Sequence, residues 1–416
     1  MSIMSQVIYF LICTYIVVLP LISESMGRFS KASDVLLILI ILLYVINMLL
    51  SSENRKKLWE NLKDFFSSLL GISMVLLSFI MIFSISYATE KGLSTMETFR
   101  FITYIGLIFI IKYEANSKER IKTIIRCFLL TTTLLCIFGV IQYFTGIGLN
   151  EKFTGLEASG TVVRITSTMQ NPNGFGAYLV LAFFPIMMLS FSTKNNRLKG
   201  FYVILSLLVL INLLLTASRN SIIGLVIGFV VLGILYSYKF LFLFLLGIPI
   251  FLFDKSLLSR FTNITEEILN GPRIKLWQIA RMMIKEHPIL GVGNGNYVSL
   301  YDEYVKKYPQ YKYPDYHRFS SHNSYLKVQS ELGIFGIALF ISTLVASIKT
   351  IIGVYKKSKD KYYKFFYMGF MASAVGFLLM NMLDNLFFSP QTTTYFWVFI
   401  GLGEAILLQF RKHKVS

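Results

Sequence analysis

The chain has 416 residues, of which 55% are hydrophobic and only 15% charged, with a mean hydropathy of +0.63. A soluble protein carries roughly 25% charged residues, and here long apolar runs recur from end to end, so the composition defines a polytopic membrane protein. Disorder, a disulfide scaffold and a secreted enzyme are excluded.

A membrane span needs about 20 apolar residues to cross the hydrocarbon. The pattern predicts twelve, at 7–23, 34–50, 65–87, 98–111, 127–146, 173–192, 201–217, 221–236, 240–253, 331–348, 365–383 and 392–410. The first lacks the basic n-region and the small-residue cleavage site of a signal peptide and reads as a retained span. Those at 98–111 and 240–253 are short, and 201–217 and 221–236 are separated only by Ser218, Arg219 and Asn220, a tight hairpin. Cys13, Cys127 and Cys136 lie in or beside apolar runs and read as packing residues. Glu404 is the one clear charge expected inside a span.

With the N-terminus inside, the inner segments hold 22 Lys and Arg and the short outer loops 7. The positive-inside rule then places both termini in the cytoplasm. The net charge of +18, which would suggest nucleic-acid binding in a soluble protein, is here a topology signal facing anionic inner-leaflet lipid, and no nucleic-acid partner is expected. The expected fold is all-α: one polytopic membrane helical bundle over 1–416 with about twelve transmembrane helices. An outer loop at 147–172 and a large extracytoplasmic helical segment at 254–321, before the tenth span, elaborate it.

Chemistry-bearing residues gather on the expected outer side. After Asn270-Gly271-Pro272, a helix start, a helix runs to about Glu286, where His287-Pro288 ends it. Its spacing puts Trp277, Ala280 and Ile284 on one buried face, with Arg273 on that same face beside an anion-favouring helix N-terminus. The alternative for Arg273 is a guanidinium snorkelling to the headgroup level. Arg219 sits at the tip of the hairpin and Arg164 precedes Asn171-Pro172-Asn173; both are also compatible with interfacial anchoring. His322, after Ser320 and Ser321, is expected in the first turn of the helix they cap, with His317 and Arg318 as competitors. The run Gly291-Val292-Gly293-Asn294-Gly295 reads as turns. The tyrosines at 297–316 and Phe319 either stack on sugar faces or pack the segment. No D-x-D, H-E-x-x-H or Cys/His cluster supplies a metal site, and no cofactor is expected. Paired arginines, permanently charged and planar, could neutralise a diphosphate instead.

Thr216-Ala217-Ser218-Arg219-Asn220-Ser221, Arg273 with Trp277, and His287-Pro288-Ile289-Leu290-Gly291-Val292-Gly293 carry a resemblance, with His322-Asn323-Ser324-Tyr325-Leu326 and Glu331-x-Gly333-x-x-Gly336. Over 160–345 the chain resembles the O-antigen ligase/polymerase superfamily of bacterial membrane glycosyltransferases. The resemblance implies a GT-C-like, metal-independent enzyme at the outer face of the plasma membrane, with an undecaprenyl-pyrophosphate-linked glycan as donor. Arg219 and Arg273, assisted by Arg164, would hold the donor diphosphate. His322 would orient or deprotonate the acceptor hydroxyl, and His317 and Arg318 are auxiliary candidates. The superfamily holds polymerases, which join lipid-linked repeat units, and ligases, which move a finished glycan to another acceptor. The Ile, Lys, Asn, Phe and Tyr bias, typical of AT-rich genomes, favours a polymerase, with a chain-length regulator as the partner the family implies. A lipid-linked glycan transporter is the alternative from another class; it would require its intramembrane charge, Glu404.

Overall fold

The computed structural model describes residues 3–22, 32–149, 153–157, 160–169, 171–242, 271–314 and 316–415. Six helices come first: α1 (Ile3–Val18), α2 (Ala32–Leu49), α3 (Ser52–Phe66), α4 (Leu69–Ser84), α5 (Lys91–Glu114) and α6 (Lys118–Thr145). A small antiparallel hairpin follows, β1 (Thr154–Glu157) and β2 (Gly160–Val163), with Thr154 opposite Val163. It is the exception to the all-α expectation and lies within the loop at 147–172. Then come α7 (Pro172–Leu189), α8 (Asn196–Leu215), α9 (Arg219–Leu235), α10 (Pro272–Glu286) and α11 (Tyr297–Lys307). The last three are α12 (Ser324–Lys357), α13 (Lys361–Met380) and α14 (Pro390–Val415).

Among the described residues, eight helices are long and apolar enough to cross a membrane: α2, α5, α6, α7, α8, α12, α13 and α14. Helices α3 and α4, bent by 88°, make a ninth if counted together. Helices α1 and α9 are apolar but shorter, so the described residues reach eight or nine spans rather than the expected twelve or so. The expected span at 7–23 stops at Val18 because Pro20 disfavours helix in the residue before it. That at 221–236 is α9, apolar but only 17 residues long. At 65–87 the chain breaks at Ser67–Ser68, where the Ser68 side chain caps α4 by accepting from the Gly71 N–H. The expected span at 240–253 and the start of the 254–321 segment lie largely outside the described residues.

The bundle is built around α7, which is buried along almost its whole length against α13, α9, α8 and α14. Small residues permit the closest approach: a methyl group on Gly376 of α13 would lie 2.6 Å from the Gly224 carbonyl oxygen of α9. The Ser373 hydroxyl donates to the Val180 carbonyl at 2.7 Å across the α13–α7 contact. Large apolar side chains stay exposed on α2, α4 and α8, among them Val35, Phe79 and Ile204, as expected of surfaces solvated by lipid. Helices apolar on both sides leave no polar face to read.

Glu404 is not the solitary intramembrane charge. Lys112, buried near the end of α5, lies 2.8 Å from Asp64 and 3.2 Å from Glu404, whose other carboxylate oxygen accepts from Thr350 at 2.7 Å. Close by, Glu114 pairs with Arg120 at 3.2 Å and accepts from the Ser5 hydroxyl at 2.6 Å. Burying a charge is costly unless it is paired. These buried charges at one end of the bundle are consumed by one another.

The opposite end carries a small cap. Helices α10 and α11 share a core of Leu276, Ile279, Ala280 and Met283 against Tyr297, Tyr301 and Tyr304. The expected buried face of α10 is thus rotated. Helix α11 approaches on the Leu276 side, where the Tyr297 hydroxyl donates to the Leu276 carbonyl at 2.8 Å. Trp277 and Ile284 flank the buried stripe and Arg273 is only half-buried beside it. The glycine run is a strap of turns, as its sequence suggests, with φ of 71°, 100° and 72° at Gly291, Gly293 and Gly295. The strap hydrogen-bonds to α12: Val292 N–H to the Ser330 carbonyl and Gly293 N–H to the Glu331 carbonyl, both 2.9 Å. Gly333 accommodates it at φ 66°, where an added Cβ would meet the Ile289 oxygen at 2.0 Å.

Candidate functional site

Four chain segments converge beside the cap: the first turn of α7, the α8–α9 hairpin, the start of α12 and the end of α13. Each is shaped by local chemistry. Asn171 caps α7 by accepting from the Gly174 N–H, and Pro172 is pre-set for the first helical position. Ser218 caps α9 and puts Arg219 at its first residue, after Ala217 at φ 47°. Asn323 caps α12 by accepting from the Tyr325 and Leu326 N–H groups. The serines at 320 and 321 are therefore not the cap: the helix begins at Ser324, and the Asn323 side-chain oxygen accepts both N–H groups itself. His322 lies just before the helix at φ 46°, a left-handed conformation uncommon for a residue with a side chain.

From there the His322 Nδ1 meets the Asp384 Oδ1 at 2.9 Å. Asp384 also accepts from the Asn385 backbone N–H at 2.8 Å and, on its other oxygen, from the Asn173 side-chain amide at 3.1 Å. The Asn173 carbonyl oxygen in turn accepts from Arg164 Nη2 at 3.1 Å and from the Ser218 hydroxyl at 3.0 Å. One side-chain amide therefore joins the histidine–aspartate pair to the arginine hairpin. Arg164 Nε donates to the Thr216 carbonyl at 3.0 Å, so this guanidinium holds the hairpin. Asn220 fixes the same hairpin to α13 by donating to the Met380 carbonyl at 3.1 Å.

Burial pushes the Asp384 carboxyl up, but the His322 hydrogen bond and charge, the Asn385 N–H and the nearby Arg273 outweigh it and hold it below its ordinary value. An ionised Asp384 accepts from Nδ1–H, which leaves Nε2 of a neutral His322 as the ring nitrogen with a free lone pair. Arg273 is within electrostatic reach of Asp384 and, among the described residues, forms no hydrogen bond or ion pair of its own. Helix α10 thus contributes a half-buried cation to the same region.

His317 and Arg318 are not joined to this set. His317 is largely exposed, 3.6 Å from Asp302, and Arg318 makes a bidentate pair with Glu90 at 2.6 and 2.9 Å. That pair pins the segment leading to His322 at a residue with φ 46°. The outer tyrosines divide: Tyr297, Tyr301 and Tyr304 belong to the cap core, whereas Tyr316 stacks on Phe319 at 3.8 Å and Phe319 packs towards the His322 ring at 5.4 Å. Among the described residues no group of three His, Cys, Asp or Glu side chains is placed to hold a metal ion.

Sequence reasoning missed Asp384 and Asn173. Asp384 falls one residue past an expected span, in Asn381-Met382-Leu383-Asp384-Asn385, and an acid at the end of an apolar run was the available signal. Asn173 stood inside a noted motif but was treated as a boundary. Lys327 was also unremarked; it is buried between Glu331 at 2.6 Å and Glu97 at 3.3 Å.

A multi-pass helical bundle with a capped end, an arginine hairpin and a histidine–aspartate pair is the class that fold and site define. Residues 204–341 match the family described as O-Antigen ligase. The match covers the hairpin, Arg273, the strap and His322, and falls inside the region of resemblance at 160–345. Among curated proteins, the chain is similar to the teichuronic acid biosynthesis protein TuaE of Bacillus subtilis (strain 168), with 25% identity over 334 residues. The similarity takes in 74% of this chain and 65% of the relative, so the chain spans less than two thirds of that protein's length.

Proposed function

We propose that this protein is a membrane glycosyltransferase that polymerises undecaprenyl-pyrophosphate-linked repeat units into a cell-surface polysaccharide. The observation that carries the reading is the Asn173 amide, which holds the His322–Asp384 pair and the Ser218–Arg219 hairpin in one frame, with Arg273 beside it. His322 Nε2 takes the proton of the acceptor hydroxyl as that oxygen attacks the anomeric carbon of the donor. The bond from that carbon to the diphosphate oxygen breaks, and undecaprenyl diphosphate leaves with its charge balanced by Arg219 and Arg273. At an effective dielectric of about 20, each close pair contributes on the order of 4 kcal/mol before desolvation, so the chemistry requires no metal. In this reading the fold is GT-C-like, the capped end faces outside and both termini are cytoplasmic.

The polymerase is preferred over the ligase because the relative named above serves teichuronic acid synthesis. Ligation to a second acceptor would use the same groups. The test is product analysis with lipid-linked repeat units on the full-length protein in lipid. A ladder of longer lipid-linked chains, lost in Arg273→Ala, is expected. A single transfer needing a separate acceptor would make it a ligase, and unchanged lipid would end the glycosyltransferase reading.

The transporter reading requires Glu404 to bind or release a proton. The Glu404–Lys112–Asp64 network gives that carboxylate a structural partner instead. Glu404→Gln is therefore expected to retain glycan transfer within a few-fold while lowering thermal stability, since Lys112 keeps Asp64. Abolished turnover in a variant that still folds would favour transport.

A further inference from the structure

One face of α10 remains unaccounted for by the chemistry above. A cleft of about 510 Å³ opens between Ile274, Trp277, Gln278 and Arg281 on that helix and a facing wall that includes Asn323 and Tyr325. Both walls continue directly into the candidate site: Asn323 follows His322, and Ile274 follows Arg273. On a helix the positions 273, 277 and 281 are successive i, i+4 neighbours and form one stripe. The stripe reads arginine, tryptophan, arginine. Among the described residues Arg281 forms no hydrogen bond or ion pair, and it is exposed into the cleft.

From this geometry we infer that the cleft binds the glycan of the substrate and that Arg281 recognises a carboxylate on it: the substrate is an acidic saccharide. Eight residues of helix separate the two guanidinium groups by about 12 Å along the axis. With the diphosphate at Arg273, Arg281 reaches past the anomeric sugar to the residues that follow. Three observations bear on the ligand class. Aromatic side chains on both walls, Trp277 and Tyr325, offer flat apolar surface to the C–H faces of sugar rings. Gln278 offers an amide matched to hydroxyls. The planar fork of Arg281 matches a carboxylate with two parallel hydrogen bonds, a contact that a neutral glycan does not offer. The inference rests on the proposed function for the position of the diphosphate, but the cleft and its charge are independent of it.

The test is equilibrium binding to the full-length protein in nanodiscs of phosphatidylcholine, using a free oligoglucuronate and the corresponding neutral oligoglucoside. Wild type is expected to prefer the acidic ligand, and Arg281→Gln to weaken that binding about tenfold, the equivalent of one charge-assisted contact. Lys285→Gln, on the same helix but not lining the cleft, is expected to leave it unchanged. Equal affinity for acidic and neutral ligands, or equal losses in both variants, would overturn the inference. So would displacement of the oligoglucuronate by phosphatidylglycerol in the nanodisc, since the cleft would then be a lipid-headgroup site. Because the free saccharides carry no diphosphate, these outcomes stand apart from the lipid-linked ladder that tests glycan transfer.

Discussion

Replacing His322 by alanine is expected to lower the rate of glycan transfer by roughly 10²–10⁴-fold, the usual contribution of a general base, with little change in donor binding. Asp384→Asn should cost about 10- to 100-fold, the rate equivalent of one charge-assisted hydrogen bond, because the amide no longer dictates which imidazole nitrogen carries the proton. The two losses should not add, since both act through one ring. Steady-state transfer by the single and double variants checks this, and a fully additive double loss would separate Asp384 from His322. Asp384 also has a stability signature. Its carboxyl lies below its unfolded value, so its contribution is present above about pH 4 and fades as pH falls through the folded-state value. The stability difference between wild type and Asp384→Asn should therefore shrink as pH falls below about 4.

The second large effect is expected at Glu331, far from any reacting atom. Its carboxylate accepts from the Gly295 N–H at 2.9 Å, the Tyr297 N–H at 3.0 Å and the Lys327 ammonium at 2.6 Å. Glu331→Ala would leave the Gly295 N–H of the strap and the Tyr297 N–H of α11 unsatisfied and Lys327 with Glu97 as its remaining anion. Breaking a buried pair from one side costs about 3–5 kcal/mol, and here the unpaired amides add to it. Unfolding of the purified protein should register the loss, with Glu331→Gln losing less because its amide oxygen still accepts. A cost below about 1 kcal/mol, typical of an exposed ion pair, would mean that the strap is held by its glycine backbone alone.

His322 and Asp384 mark how far the sequence can be read. His322 stands in a compact motif with its neighbours in order, so its candidacy needed only one segment. Asp384 is 62 residues away on the other side of two long helices, and nothing local announces a partnership made by tertiary contact. Apolar runs announced eleven of the twelve expected segments as helices in the described chain, but not where those helices stop. Pro20 and the Ser67–Ser68 break end or bend them through backbone chemistry that hydropathy averages away. The face of α10 was misjudged for a related reason. Helical periodicity supplies a stripe, while the direction from which α11 approaches decides which edge of it is covered. Charge inside the bundle was underestimated because Lys112 lies at the end of an apolar run and was taken as the start of a loop.

Helix α7 has a consequence for how the bilayer acts on this protein. Membranes of differing thickness tilt or shift the helices they touch, and here those are the ones with exposed apolar faces, such as α2 and α8. Helix α7, with Asn173 in its first turn, is wrapped by protein along its length and has almost no lipid to obey. A displacement of a single residue's rise, about 1.5 Å, would carry the Asn173 amide out of reach of Asp384, Arg164 and Ser218 together. Setting that amide on the most enclosed helix makes its alignment a property of protein packing, insulated from changes in acyl-chain length that the outer ring of helices absorbs.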